Sequence, residues 1–412
     1  MDGTTTTTEV RISVKGLESG MYVSRLDRPW LETPFPLEGL LVASAEELQQ
    51  LRNVCAHVYI DTSRGRAPDL RFLNLEEPSL VHEVQAREEI EQLRRTQWTL
   101  RSEFRAEIAQ AGAAHVLLEQ GMKELMADLA ADRRVDLPKL RHGVEAMVDS
   151  ILRNPSAFAW LKQLKRKDTY TYQHAMGCAI WAASFGRYLG LERDELQDLA
   201  LGGLLCDIGK MQLPEALLAS SAPLSPEERQ VVRWHVEHGL TVVREIEGLP
   251  TRVVEMVATH HERHDGSGYP RRLKGMEIPM FGRIAGLVDS YDAMTSVRPY
   301  AAGRSPHQAI EELYNSRGSL FQAELVEQFI QSRGIYPTGS LVELSTGEVG
   351  VVTEVHSLKR LRPRVMLLLD PAKRPLENFR EVDLGDAGCA VSVKCGLPSG
   401  AYGIEASELF LD

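Results

Sequence analysis

Three patterns of apolar and polar positions succeed one another along the chain. Between Val10 and Asp61 short apolar runs alternate with polar residues at period two. Arg11-Ile12-Ser13-Val14, Gly20-Met21-Tyr22-Val23 and His57-Val58-Tyr59-Ile60 are therefore predicted strands. Among them, Ser44-Ala45-Glu46-Glu47-Leu48 sets a Ser cap ahead of a helical continuation to Leu51. From about Pro78 to Arg153 charged and apolar residues recur at helical spacing, as in Glu88-Glu89-Ile90-Glu91-Gln92-Leu93. Residues 155–335 stay helix-rich but become more apolar, and Asp198-Leu199-Ala200-Leu201-Gly202-Gly203-Leu204-Leu205 predicts a buried helix. Past Gly334-Ile335-Tyr336-Pro337 the pattern turns strand-like again, in Ser340-Leu341-Val342-Glu343-Leu344, Gly350-Val351-Val352-Thr353 and Arg364-Val365-Met366-Leu367-Leu368-Leu369.

The expected fold class is mainly α. A disordered polar leader over 1–9 precedes a small α+β domain over 10–65. Linker and connector helices follow over 66–153, then a helical domain over 154–335 and a small β domain over 336–412. The connector reads as a solvated helix packed on one side, with a dimerising coiled coil as the other reading of its repeat. Tyr22, Trp30 and Phe35 form either a partner surface or the first domain's own core, and so short a domain favours the core.

Composition narrows the function. Lys and Arg total 47 against 58 Asp and Glu, a formal net charge of −11 in 412 residues. This argues against general binding of a nucleic-acid polymer, which depends on basic contacts to phosphate. An anionic ligand would need a local basic or metal site. The 5 cysteines include no CxxC pair and suit a reducing compartment. No apolar run reaches the length of a membrane span, and Met1-Asp2-Gly3 with five threonines lacks the basic and apolar regions of a signal peptide. A cytoplasmic protein is expected.

Of the 12 histidines, His260 and His261 are adjacent, and Glu262, Asp265 and Gly266-Ser267-Gly268-Tyr269-Pro270 follow them. Upstream lie His174, Cys206-Asp207 and His235, and downstream lies Asp289. Imidazoles with a few carboxylates suit Fe, Mn or Zn better than Ca or Mg. Ligands spread over several helices are one way to build a di-metal site inside a helical bundle.

The order of these motifs, from Asp168 to about Ile330, resembles the HD-GYP family of metal-dependent cyclic di-GMP phosphodiesterases. It is carried by Tyr170-Thr171-Tyr172-Gln173-His174, by Leu204-Leu205-Cys206-Asp207-Ile208-Gly209-Lys210, by His260 through Pro270, and by Asp289-Ser290-Tyr291-Asp292-Ala293-Met294-Thr295 with Arg298-Pro299-Tyr300. Residues 10–61 also look like the small domain often found ahead of HD-GYP domains. The resemblance implies two divalent transition-metal ions, Fe or Mn first and Zn next. His174, Cys206, Asp207, His235, His260, His261 and Asp289 occupy the ligand positions, with Asp207 bridging. Lys210 and Arg298 would meet phosphate, and Gly268, Tyr269 and Pro270 would lie against the ligand or a signalling partner. Cyclic di-GMP would be hydrolysed to linear pGpG, to GMP, or to both.

Four departures from the family stand out. The His of the His-Asp pair is Cys206, which is either a soft thiolate ligand or an inert buried thiol. Ala301 stands where family members usually carry a basic residue, Tyr170 stands where some carry a Glu that supports a third metal, and Phe321-Gln322-Ala323-Glu324 replaces an Asp-Pro. The alternative function is a catalytically degenerate member acting as a cyclic di-GMP receptor or protein-interaction module. A hydrolase of another phosphorylated substrate is disfavoured by the GYP loop.

Overall fold

In the computed structural model the described residues are 9–28, 33, 35, 39–69, 88–131, 133, 135, 137–164, 170–218, 222, 224–296, 303–356, 361–386, 388–398 and 400–404. Trp30, Arg298, Tyr300 and Ala301 fall outside them, as does most of the leader. The chain separates into two compact units, Met1–Ala86 and Arg87–Asp412.

In the first unit, β1 (Glu9–Ser13), β2 (Tyr22–Leu26), β3 (Leu40–Leu41) and β4 (His57–Asp61) form an antiparallel sheet in the order β1-β4-β2-β3. Helix α1 (Ala45–Val54) starts at a reciprocal cap. The Ser44 hydroxyl accepts the Glu47 N–H at 3.1 Å, and the Glu47 carboxylate accepts the Ser44 N–H at 2.9 Å. Ile12, Leu17, Val23, Phe35, Leu51, Val58 and Ile60 make one core, and Tyr22 is buried too. Tyr22 and Phe35 thus serve the unit's interior.

In the second unit, α2 (Phe104–Ala130) and α3 (Pro138–Arg153) pair as antiparallel neighbours. The apolar stripe of α2, including Ala111, Leu118 and Met122, is buried, and the backbones of Leu118 and Leu140 lie close against Gly143 and Gly121. At the far end of the pair Glu107 is fully buried. It accepts hydrogen bonds from Arg153 at 3.0 and 2.8 Å and from Ser150 at 2.7 Å. Burial pushes its carboxyl up, but these donors outweigh burial and hold it below the ordinary value of 4.5. The pair's contribution is therefore complete above that pH and fades as pH falls through the depressed native value. Glu107→Gln should lower the unfolding free energy at pH 7 by about 2 kcal/mol, and the gap between wild type and variant should close in acid urea titrations.

The remaining described helices of eight residues or more in this unit are α4 (Pro155–Leu164), α5 (Tyr170–Leu189), α6 (Arg193–Leu205), α7 (Pro226–Arg233), α8 (His235–Glu245), α9 (Thr251–Thr259), α10 (Met280–Thr295), α11 (Pro306–Asn315) and α12 (Ala323–Arg333). Helices α5, α6, α9 and α10 pack on one another, and α8 packs on α9 and on the turn after α6. Their apolar interior includes Ile180, Trp181, Phe185, Leu199, Met256, Ile284 and Tyr291.

A second antiparallel sheet follows, in the order β8-β7-β6-β5-β9, from β5 (Leu341–Leu344), β6 (Val349–Glu354), β7 (Arg364–Leu369), β8 (Pro375–Asp383) and β9 (Val393–Gly396). Period-two alternation gives it two apolar faces. Leu341, Val349, Val351, Met366 and Leu368 pack with Phe104 of α2 and Trp160 of α4, while Val342, Leu344, Val352, Val365 and Leu367 form a core of their own. Arg362 and Arg364 serve this sheet: Arg362 donates to the Leu384 and Cys389 carbonyls, and Arg364 pairs with Glu354 and Asp383. The chain is mainly helical, with a small mixed unit before the helices and a β unit after them. Among the described residues no helix is long and apolar enough to cross a membrane.

Candidate metal centre

The ends of α6, α8 and α9 and residues within α5 and α10 converge on one buried point. His174 lies one turn into α5, with Cys178 a turn further on the same face. Helix α6 stops at Leu205, Cys206 caps it, and Asp207 then opens a short 3₁₀ turn that carries Lys210. His235 is the first residue of α8, His260 caps the end of α9 with His261 next, and Asp289 sits within α10. His174, Asp207, His235, His260 and Asp289 are all buried.

Their donor atoms form two groups, Asp207 with His235, His260 and His261, and His174 with Cys178 and Asp289. Asp207 stands between them. Its Oδ1 lies 3.3 Å from His235 Nε2 and 3.8 Å from His260 Nε2, and its Oδ2 lies 3.5 Å from His174 Nε2. Asp289 spans the same gap, at 3.0 Å from His174 Nε2 and 3.9 Å from His261 Nδ1. The Cys206 thiol belongs to neither group, although it is buried beside them.

The protonation states suit cation binding. Burial pushes the His235 imidazole down to about 4 and drives His261 well below its usual value, so both present neutral rings. Burial alone would raise Asp207, but the Lys210 ammonium and the surrounding imidazoles hold it well below the ordinary range. Asp289 is likewise held low, by its hydrogen bond to His174 and by His261, against the effect of burial. Burial raises the Cys178 thiol to about 12 and pushes the Cys206 thiol well above its ordinary value.

A divalent ion fits this donor set. Asp207 Oδ1 is buried and receives no hydrogen bond, an arrangement a cation would relieve. The outer ring nitrogens are already engaged, with His235 Nδ1 at 2.7 Å from the Val232 carbonyl and His260 Nδ1 at 3.0 Å from the Val257 carbonyl. Both Nε2 atoms are thereby turned inward, as ligand imidazoles require. His174 Nδ1 is held by Asp292 at 2.9 Å, and Asp292 also accepts from Trp181 Nε1 at 2.9 Å and pairs with Lys162 at 2.6 Å.

The glycine-rich loop closes one side. The Tyr269 ring stacks on His261, with centroids 4.7 Å apart, and the Arg233 guanidinium lies 4.8 Å from the centre of the Tyr269 ring. Gly268 is required by contact: a Cβ there would lie 2.4 Å from Arg263 N and 2.5 Å from the His261 carbonyl. Glu262 is turned to the loop, accepting the Arg271 and Leu273 N–H groups at 2.7 and 3.0 Å. Gly209 lets the Asp207 turn touch α8, because a Cβ there would lie 2.0 Å from the His235 carbonyl and 2.3 Å from Gly239 N. Gly209→Ala should push His235 out of register and cost about 1–3 kcal/mol by overpacking. Elemental analysis of the folded variant should show reduced metal retention.

The structure thus draws together six of the residues singled out from sequence, His174, Asp207, His235, His260, His261 and Asp289, with Lys210 on Asp207 at 2.6 Å and Tyr269 against His261. Arg298 lies outside the described residues. Cys178, Asp292, Lys162 and Arg233 were not picked out. The signals were present for two of them, since Cys178 is four residues from His174 and Asp292 three from Asp289, which places each pair on one helical face.

Comparison with known proteins agrees with this architecture. A model of the HD domain matches residues 125–325, a domain of unknown function (DUF3391) matches 9–139, and a KOW domain associated with HD domain matches 341–390. A cyclic di-GMP phosphodiesterase of Pseudomonas aeruginosa is 33% identical over 384 residues, covering 92% of this chain and 89% of that protein. A cyclic di-GMP phosphodiesterase of Thermotoga maritima is 33% identical over 166 residues, covering 40% of this chain and 45% of its own. The 3'3'-cGAMP-specific phosphodiesterase 2 of Vibrio cholerae is 29% identical over 221 residues, covering 53% and 42%. With a likeness that runs nearly end to end, and with the GYP loop folded against clustered His and Asp side chains, the chain belongs to the HD-GYP family of HD-domain phosphodiesterases.

Proposed function

We propose that this chain hydrolyses cyclic di-GMP at a two-metal centre, opening it to linear pGpG or onward to GMP, in the cytoplasm of a bacterial cell. The observation that carries the reading is the Asp207 carboxylate, with one oxygen toward His235 and His260 and the other toward His174. The proposed ligands are Asp207, His235, His260 and His261 for one ion, and His174, Asp289 and Asp207 for the other. Two bound ions of the Fe, Mn or Zn type would activate water and clamp the oxygens around phosphorus.

The chain's own groups supply the rest. Lys210, paired with Asp207 and partly open to solvent, places a positive charge at the rim where a phosphate arrives. This answers the acidic balance of the whole protein. The His261–Tyr269–Arg233 stack gives a flat, cation-backed wall suited to a purine base or a phosphate. Arg298 is proposed as a further phosphate contact.

The test is turnover of cyclic di-GMP, followed by chromatography, on protein purified without oxygen and analysed for metal. About two transition-metal ions per chain are expected, with activity lost to a chelator and restored by Mn or Fe. The cyclic GMP-AMP dinucleotide, assayed in parallel, separates the two substrates named for the relatives. Cys206 lies outside both donor groups and so favours a receptor as the competing reading. Tight binding of cyclic di-GMP by fully metallated protein without hydrolysis would establish that reading instead.

A further inference from the structure

We propose that one of the two metal positions carries a sulfur ligand and that the sulfur is Cys178, not Cys206. The inference rests on the two-metal reading above but not on the substrate.

The two donor groups are unequal. Around one position stand Asp207 and three imidazoles, a full tetrahedral set of oxygen and nitrogen donors. Around the other, His174 and Asp289 are joined by the second oxygen of Asp207, 3.5 Å from His174 Nε2. That makes three donors. The fourth atom within reach is Cys178 Sγ, 3.8 Å from His174 Nε2 and within 4.8 Å of an Asp289 oxygen. Ligand bonds of about 2.0–2.1 Å to nitrogen and about 2.3 Å to sulfur separate the two atoms by about 3.5 Å in a tetrahedral site. The observed 3.8 Å is within a few tenths of that value, but Sγ is almost as near to Nδ1, at 3.9 Å, so the thiol has to turn toward Nε2 to take up the ligand position.

Helix geometry explains why Cys178 is available. Cys178 follows His174 by four residues, the spacing by which paired ligands on one helix face share a zinc ion. Cys206 immediately precedes Asp207 at the close of α6. Its thiol is not among the donor atoms that gather with His174 and Asp289, whereas Asp207 faces the imidazoles.

On ligation the Cys178 thiol gives its proton to solvent, and no oxidant or reductant is involved. The sulfur-bearing position then favours Zn or Fe over Mn, while its partner does not share that bias. The centre is chemically asymmetric.

The test uses the full chain, stripped of metal and reloaded with cobalt(II). Wild type should bind two cobalt ions and show a sulfur-to-cobalt charge-transfer band. Cys206→Ser should keep both. Cys178→Ser should lose the band and bind its second cobalt about tenfold or more weakly, with the first unchanged. Cys178→Val, which preserves an apolar interior, covers a folding defect in the serine variant. X-ray absorption of wild type should show one sulfur at about 2.3 Å. A band that survives Cys178→Ser and Cys178→Val overturns the proposal, as does a band lost in Cys206→Ser, or two bound cobalt ions with no sulfur. Loss of dinucleotide turnover with the band intact would count against the phosphodiesterase reading alone.

Discussion

Asp207→Asn is expected to lower turnover by about 10³-fold or more, while the protein stays folded. Asp207 is the residue whose two oxygens face different donor groups. An amide keeps the size but removes the charge, and its nitrogen cannot act as a second oxygen donor. Both proposed metal positions would be weakened together. Stabilisation of transition-state charge by bound metal amounts to several kcal/mol, and a loss of about 4 kcal/mol corresponds to about 10³-fold. Elemental analysis on the same sample should show metal falling well below that of wild type. A variant that keeps its metal and a tenth of its activity would remove Asp207 from the centre of the mechanism.

Asp292→Ala should have the largest effect on stability. The carboxylate is fully buried and is shared by Lys162, Trp181, His174 and Ser296. Burial would raise it, yet the Lys162 charge and the His174 bond hold it at about 2. Without it the nearly buried Lys162 ammonium loses its counter-charge, and breaking such a pair costs about 3–5 kcal/mol. His174 simultaneously loses the acceptor that fixes its outer nitrogen, a change that typically lowers metal affinity about 10–100-fold. Urea unfolding and metal titration read the two effects separately. The double variant with Lys162→Met should recover much of the stability and none of the metal affinity. Recovery of both would mean that Asp292 matters only as a counter-ion.

The parts of this molecule that could be read from sequence are those where chemistry and spacing coincide. His260-His261 stands out as an adjacent pair of groups costly to bury, while the GYP loop and Asp289 are legible because the order of the motifs resembles the HD-GYP family. The strands at both ends were legible from alternation, as in Arg11–Ser13 and Leu341–Leu344. Strand β8 was not, because Pro375–Asp383 is an edge strand that is largely exposed and polar, with no apolar rhythm. Cys178 sits in the apolar run of α5, where a thiol looks like any small core residue. Only the position of α10 shows that Cys178 shares a point with His174 and Asp289. Lys162 was hidden in another way: a lysine near the end of a short helix reads as solvated, and its acid lies 130 residues further on.

Helix α4 joins the β unit to the metal centre. Trp160 is buried against the sheet residues Leu341, Val351 and Met366, and two positions later Lys162 holds Asp292. Two residues are about 200° of helical turn, so the two side chains leave opposite sides of one short rod. The rod is clamped at one side by β-sheet and at the other by the carboxylate that steadies His174. Seating of the sheet and seating of the ion therefore share a mechanical part, and a free-energy coupling between two such events is reciprocal. A substitution that unseats Trp160 from the sheet is expected to weaken the hold on metal, and stripping the metal is expected to loosen that seating.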